Sequence, residues 1–322
     1  MNFQSMRGLK YLVVLLLAVS CGSRSGGPAA PAQRQFPTVE APGMVSDPTE
    51  RLEYITAHFW DCLADTSKQW LSDSSHVAGI ASEELERQIG MFTTLLSEIP
   101  LSSARKAAVH AFRQFESCPD TAVFPALSPL LERYLYDANS PVRNEDVWQP
   151  VAQAMSSSPR VKPGLREAYA RDAELCTRNA AGTRAADFVF ADARGRRHTL
   201  RGIRADLTLL FFSNPGCPAC KEIISALQND PVVTQLTLSG KMAVACVYID
   251  EDLQAWRDYL DHYPSTWLVG YDPDFAIRTD LRYNVRAIPS LYLLDADKTV
   301  LLKDATTERV LQTIHSLADS EG

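Results

Sequence analysis

The chain has 322 residues, of which 46% are hydrophobic and 22% charged, with a formal net charge of -7. That is the profile of a soluble globular protein with more chain than one ordinary core uses, so two folded units behind a leader are expected. The acidic balance, and the lack of a dense basic tract interleaved with aromatics, argue against a nucleic-acid partner.

Arg7 and Lys10, followed by the apolar run from Leu12 to Ala18, read as a secretory signal over residues 1–20. The run is too short to span a bilayer. It ends in Ala18-Val19-Ser20-Cys21, which resembles a bacterial lipobox. That resemblance implies that Cys21 is acylated and becomes the mature N-terminus; ordinary cleavage nearby with release of a soluble protein is the alternative. Residues 21–46, opening with Gly22-Ser23-Arg24-Ser25-Gly26-Gly27-Pro28, are expected to be a flexible tether. No later segment is long enough for a transmembrane helix, so attachment to the periplasmic side of a bacterial membrane would rest on Cys21 alone.

Residues 47–166 carry helical periodicity. Leu52, Ile55, Phe59 and Leu63 recur at three- and four-residue steps, as do Leu85, Ile89, Phe92, Leu96 and Ile99. Ala108, Ala111, Phe112 and Phe115, then Phe124, Leu127, Leu131 and Tyr134, continue the pattern, so an all-α unit of four or five helices is expected. Pro100 and Pro119 mark stops, and Ser82 is a candidate N-cap without a capping box. His58, His76 and His110 lack a second ligand at helical spacing and are read as ordinary surface or core-edge histidines. The polar stretch from Tyr136 to Glu145 reads as a turn between helices. With Pro37 and the opening from Pro48 to Trp60, this half resembles a helical domain of unknown function that precedes thioredoxin-like domains in bacterial lipoproteins.

Over residues 167–322 the pattern becomes that of an α/β unit. Thr183 to Leu200 alternates apolar and polar residues around Gly195, as two short strands and a turn would. Thr208-Leu-Leu-Phe-Phe-Ser213 is a buried central strand ending at Asn214-Pro-Gly216. Cys217-Pro218-Ala219-Cys220 follows, and Lys221 to Leu227 reads as a helix. A cysteine at the first turn of a helix faces unpaired N–H groups and the positive end of the dipole, an environment suited to a thiolate nucleophile. Cys217 is therefore the expected attacking group, and Cys220, one turn deeper, the one that resolves the mixed disulfide. Pro218 loses no needed N–H at this position and stiffens the turn. Met242 to Ile249 and Ser290 to Leu294 are further strands, the latter turning through Asp295–Lys298 into Thr299–Leu302, and Thr306 to Leu317 closes the unit as a helix.

The strand, turn, cysteine pair and helix order is the signature of thioredoxins, and the hairpin before it resembles that of the membrane-tethered TlpA and ResA families. The resemblance implies a thioredoxin-like α/β fold behind the helical domain and thiol-disulfide oxidoreductase activity on exported, cysteine-containing proteins, with a redox partner and reduction the favoured direction. It further implies that Arg286-Ala-Ile-Pro-Ser290 is the loop whose proline is cis. Pro289 then faces Cys217, the Ile288 backbone pairs with substrate, and Pro218 and Ala219 contact it. The sequence departs from these families at Gly216, where tryptophan is common, and in having no acid in the strand Thr208–Ser213. Glu222 is the nearby carboxylate, in either a proton-transfer or a plain surface role. The aromatic stretch from Leu253 to Asp274, with Trp256, Tyr259, Trp267 and Tyr271, is read as core packing rather than a groove.

The seven cysteines stand at positions 21, 62, 118, 176, 217, 220 and 246. Cys246 sits in an apolar run and is expected to be buried and inert. Two of Cys62, Cys118 and Cys176 can form a structural bridge, and the sequence does not choose the pair. A zinc half-site at Cys217 and Cys220 lacks nearby further ligands, and nothing calls for an organic cofactor. A peroxidase, and a binding module whose helical half captures a partner while the thioredoxin-like part is a scaffold, are the competing functions.

Overall fold

A computed structural model describes residues 30–320; Cys21, the signal segment and the start of the tether lie outside the described residues. Within the stretch 30–46, assigned to a flexible tether from its sequence, Arg34 and Phe36 pack against the helical half, while most of its other residues are exposed. Phe36 sits between the rings of Phe59 and Trp60, and Arg34 donates to the carbonyls of Ala78 (2.8 Å) and Cys62 (2.9 Å) while covering Trp70.

The first half is helical. α1 (Pro48–His58) starts at Asp47, whose side chain accepts from the Glu50 N–H. A two-strand hairpin, β1 (His76–Val77) and β2 (Ile80–Ala81), leads into α2 (Ser82–Ser97). Ser82 is the first helical residue, not the cap; the cap is Ala81, which has no capping side chain. α3 (Leu101–Ser117), α4 (Val123–Tyr136), α5 (Glu145–Ser157) and α6 (Pro163–Cys176) follow. Six helices thus stand where four or five were expected, and α6 runs across residue 166, carrying the helical half to Cys176. Its weak stripe explains the difference, since only Ala173 and Cys176 of α6 are buried. The core is built from the predicted stripes: Phe92 of α2, Phe112 and Phe115 of α3 and Leu127 and Leu131 of α4 are buried in one cluster with Trp148 of α5 and with Trp60, whose ring meets Phe92 and Phe115.

The second half opens with β3 (Val189–Ala191) and β4 (Arg197–Thr199), joined through Gly195, whose φ of +74° is one that glycine adopts without strain. Then come β5 (Leu207–Phe212), α7 (Pro218–Asn229), α8 (Pro231–Leu238), β6 (Met242–Tyr248), α9 (Leu253–Asp258), β7 (Leu268–Tyr271), β8 (Ser290–Leu294), β9 (Val300–Leu302) and α10 (Thr307–Ser320). The strands form one mixed sheet in the order β4-β3-β7-β6-β5-β8-β9. β5 lies parallel to β6 and antiparallel to β8, and its alternate residues serve two cores. Leu209 and Phe211 pack toward α7 and α10, while Leu210 and Phe212 pack with Phe188, Tyr283 and Tyr292. β7 lies inside the aromatic stretch from Leu253 to Asp274, where Trp256 and Trp267 are buried in agreement with core packing. Among the described residues no helix is long and apolar enough to cross a membrane.

The two halves meet through buried charge. Glu145, the first residue of α5, has a fully buried side chain flanked by Arg286 Nε at 2.6 Å and Lys303 Nζ at 2.8 Å. Lys303, equally buried, also donates to the Cys176 carbonyl at 2.8 Å. Asp304 receives Arg143 Nε at 3.3 Å and Arg286 Nη2 at 3.5 Å. Buried ions must be paired to be tolerated, and each of these has a counter-charge, Glu145 Oε1 also accepting a hydrogen bond from Arg286.

Candidate active site

β5 runs out of the sheet into Asn214-Pro215-Gly216, and Gly216 turns the chain with φ +70°. Cys217 is the N-cap of α7, and its Sγ accepts the Cys220 N–H at 3.1 Å. The cap position puts the sulfur among unpaired N–H groups of the first turn. Pro218 occupies the first helical position, where its missing N–H costs nothing. Pro218 and Ala219 are exposed and Cys217 is half-buried, whereas Cys220 is fully buried. Access therefore ranks the sulfurs: an incoming disulfide reaches Cys217 first. Burial, and then the hydrogen bond with Cys217, push the Cys220 thiol well above its ordinary value, opposed by the backbone of Asn214. Both sulfurs are free thiols, as are Cys62, Cys118, Cys176 and Cys246.

The Ile288–Pro289 peptide bond is cis, as the family resemblance implies. Ile288 packs between the two cores of the sheet, and Pro289 shares a groove with Ala219. Among the described residues nothing hydrogen-bonds to the Ile288 backbone. Ser290 follows the proline directly, and its Oγ donates to Asp304 Oδ1 at 2.7 Å, which connects the loop to the charge network between the halves.

Behind the pair, Ser213 Oγ lies 2.8 Å from the Tyr263 hydroxyl and 3.0 Å from Cys246 Sγ. Ser213 is buried at the end of the strand in which no acid was found. Cys246 is also buried, and desolvation pushes its thiol up to about 12, which fits the inert role expected of it. Glu222 is exposed on α7 and points to no buried partner. His58 and His76 pair with Asp61 (2.7 Å) and Asp73 (3.3 Å), and among the described residues no cluster could hold a metal ion. Sequence reasoning missed Ser213, Tyr263 and the Glu145–Lys303 pair. The one local signal was the Glu145-Asp146 doublet at the head of the apolar run Val147-Trp148, which reads equally well as an ordinary helix start.

A family profile described as thioredoxin-like matches residues 205–300, and one described as a domain of unknown function (DUF5106) matches residues 18–179. No curated protein matches the chain. A solved thioredoxin-like protein from Bacteroides caccae is 35% identical, with a TM-score of 0.74, over 87% of this chain and 98% of its own. The chain belongs to the thioredoxin-like family. Two further solved structures, both from Bacteroides fragilis, cover less. The C-terminal domain of an uncharacterized protein is 42% identical over 43% of this chain and 99% of its own, with a TM-score of 0.42. A conserved protein of unknown function is 32% identical over 42% of this chain and 98% of its own, with a TM-score of 0.41. In the thioredoxin-like half, the cysteine pair and the cis-proline loop stand at one end of the sheet, where β5 ends and its antiparallel neighbour β8 begins. The match to the Bacteroides caccae protein is too long for one half, so the helical unit is shared as well.

Proposed function

We propose that the protein is an exported, lipid-tethered thiol-disulfide oxidoreductase that exchanges disulfides with cysteine-containing periplasmic proteins through Cys217 and Cys220. The observation that carries the reading is the pairing of a reachable sulfur at the cap of α7 with a buried one a single turn inside, their N–H to Sγ contact being 3.1 Å. In the reductive direction the Cys217 thiolate attacks one sulfur of a substrate disulfide. A Cys217–substrate disulfide forms, and the other substrate sulfur leaves as a thiolate that takes up a proton. Cys220 then gives up its proton and attacks the Cys217 sulfur, which forms the internal disulfide and frees the second substrate thiol. The substrate gains two electrons and the protein loses them, so a dithiol partner is needed to restore the pair. The unpaired Ile288 backbone is suited to hold the substrate chain beside the attacked bond, and Pro218, Ala219 and Pro289 form its immediate surroundings. Cys21 is assigned the lipid anchor, on the strength of the sequence around it.

The test is the redox equilibrium of the chain from Gly22 onward against glutathione, with Cys217→Ser and Cys220→Ser beside it. One two-electron couple lost in both variants is expected, and its potential assigns direction. If Cys217 and Cys220 never join, the reading fails.

A further inference from the structure

We propose that the helical half is part of the substrate-binding surface, its loop between α4 and α5 forming one wall of the groove beside the cysteine motif. This rests on the exchange reading above. A groove of about 310 Å³ is lined by Ala219, the residue just before Cys220, and by Pro289 of the cis-proline loop, together with Pro141 and Arg143 of the helical half. Ile223, Ala226, Leu291 and Ala305 supply its apolar lining. The wall is rigid. Asn144 N–H is bonded to the Leu135 carbonyl at 2.8 Å, Ser140 Oγ to the Tyr134 carbonyl at 2.6 Å, and Arg143 to Asp304 at 3.3 Å.

One carboxylate holds both sides. Asp304 takes the Arg143 guanidinium from the wall and the Ser290 hydroxyl from the residue after Pro289. A shift of the helical half therefore moves the groove relative to the attacking sulfur. The occupant this geometry fits is the stretch of substrate polypeptide that flanks the attacked cystine, since Ala219 of the cysteine motif and Pro289 are both part of the groove's lining. An apolar side chain suits that lining. The rim carries the exposed carboxylates of Glu222 and Glu308, and among the described residues neither has an ion-pair partner, whereas Arg143 is already neutralised. A lysine or arginine further along the substrate complements that rim.

The experiment uses the full chain carrying Cys220→Ser, so that the mixed disulfide persists. The probe is a synthetic peptide with a single cysteine activated by thionitrobenzoate, followed by benzoylphenylalanine and lysine. Attack by Cys217 forms the Cys217–peptide disulfide and expels thionitrobenzoate as the coloured thiolate, so loading is read directly. After irradiation, peptide mapping is expected to place the cross-link within residues 140–143; a cross-link confined to the thioredoxin-like half overturns the inference. Failure to release thionitrobenzoate overturns the exchange reading itself, and this inference with it. In turnover, Pro141→Ala is expected to raise KM for the lysine peptide about three- to tenfold, with kcat moved less. Glu308→Gln is expected to narrow the preference for the lysine peptide over its glutamate counterpart by a similar factor. Unchanged values in both variants overturn the assignment.

Discussion

Replacing Glu145 by glutamine tests whether the buried ion network joins the halves. The substitution keeps the side-chain shape, so no cavity term enters. What it removes is the counter-charge of Lys303 at 2.8 Å and of Arg286 at 2.6 Å, with both Glu145 and Lys303 side chains fully buried. Lys303 then keeps the Cys176 carbonyl as its hydrogen-bond acceptor and the buried Asp146 carboxylate as a more indirect counter-charge, but loses its direct ion pair. Breaking a buried pair on one side costs about 3–5 kcal/mol, because an ion is left without compensation in a medium of low dielectric. With an m value of about 3 kcal/mol/M, the urea midpoint falls by about 1–1.7 M. The assay is urea unfolding followed by tryptophan fluorescence, with Glu86→Gln as a control. Glu86 pairs with Arg133 on the surface, both side chains about half exposed, and its loss costs about 0.5 kcal/mol or less. Adding Lys303→Met to Glu145→Gln is expected to recover part of the loss by removing the stranded charge. A single variant within about 1 kcal/mol of the parent, or a double variant no better than the single, refutes the reasoning.

Cys217→Ser is expected to abolish exchange, while Cys220→Ser accumulates substrate on Cys217, detected by non-reducing electrophoresis. Because burial raises the Cys220 thiol above 9.0, release of substrate from the mixed disulfide is expected to quicken with pH without levelling off below that value, as stopped-flow measurements would register. Cys246 contributes an alkaline loss of stability. Its folded value of about 12 against 9.0 means that its contribution is complete below pH 9.0 and is lost as pH rises toward 12, at about 1.4 kcal/mol per unit. Cys62, raised to about 11, and Cys176, raised to about 12, act in the same direction. Cys246→Ala should flatten the fall of melting temperature above pH 9.0, and an unchanged slope would count against this account. Cys21→Ser should abolish incorporation of labelled fatty acid and release the protein from membranes; continued labelling rules out Cys21 as the anchor.

What was legible in the sequence is what depends on near neighbours. The strand Leu207–Phe212, the glycine turn, the capped Cys217 and α7 follow one another within a short span, and each uses a local rule of periodicity or capping. The loop at Pro289 was legible only by resemblance, because nothing local sets its isomer. β7 escaped because Leu268–Tyr271 spans four residues, most of them incompletely buried, and is a strand by its pairing with β6 and β3 rather than by any local pattern. The contacts of Phe36 and Arg34 escaped because their partners, Phe59, Trp60, Cys62 and Ala78, lie more than twenty residues further along the chain. The Glu145–Lys303 pair lies beyond any window, since burying these ions is decided by how two separately patterned halves meet.

That pairing also bears on why the halves meet through charge at all. An apolar seam of the same size would serve stability as well or better, since desolvation offsets much of what a buried ion pair contributes. An apolar seam tolerates sliding, however, whereas Glu145 between Arg286 and Lys303, and Asp304 between Arg143 and Ser290, are satisfied in one register. Two of these residues, Arg286 and Ser290, belong to the segment that carries Ile288 and Pro289. A network that fixes the register of the halves therefore fixes the loop beside Cys217 as well. On this argument, Ser290→Ala should weaken peptide exchange more than it weakens the fold, because it cuts the link between Asp304 and the loop while leaving both arginine pairs in place.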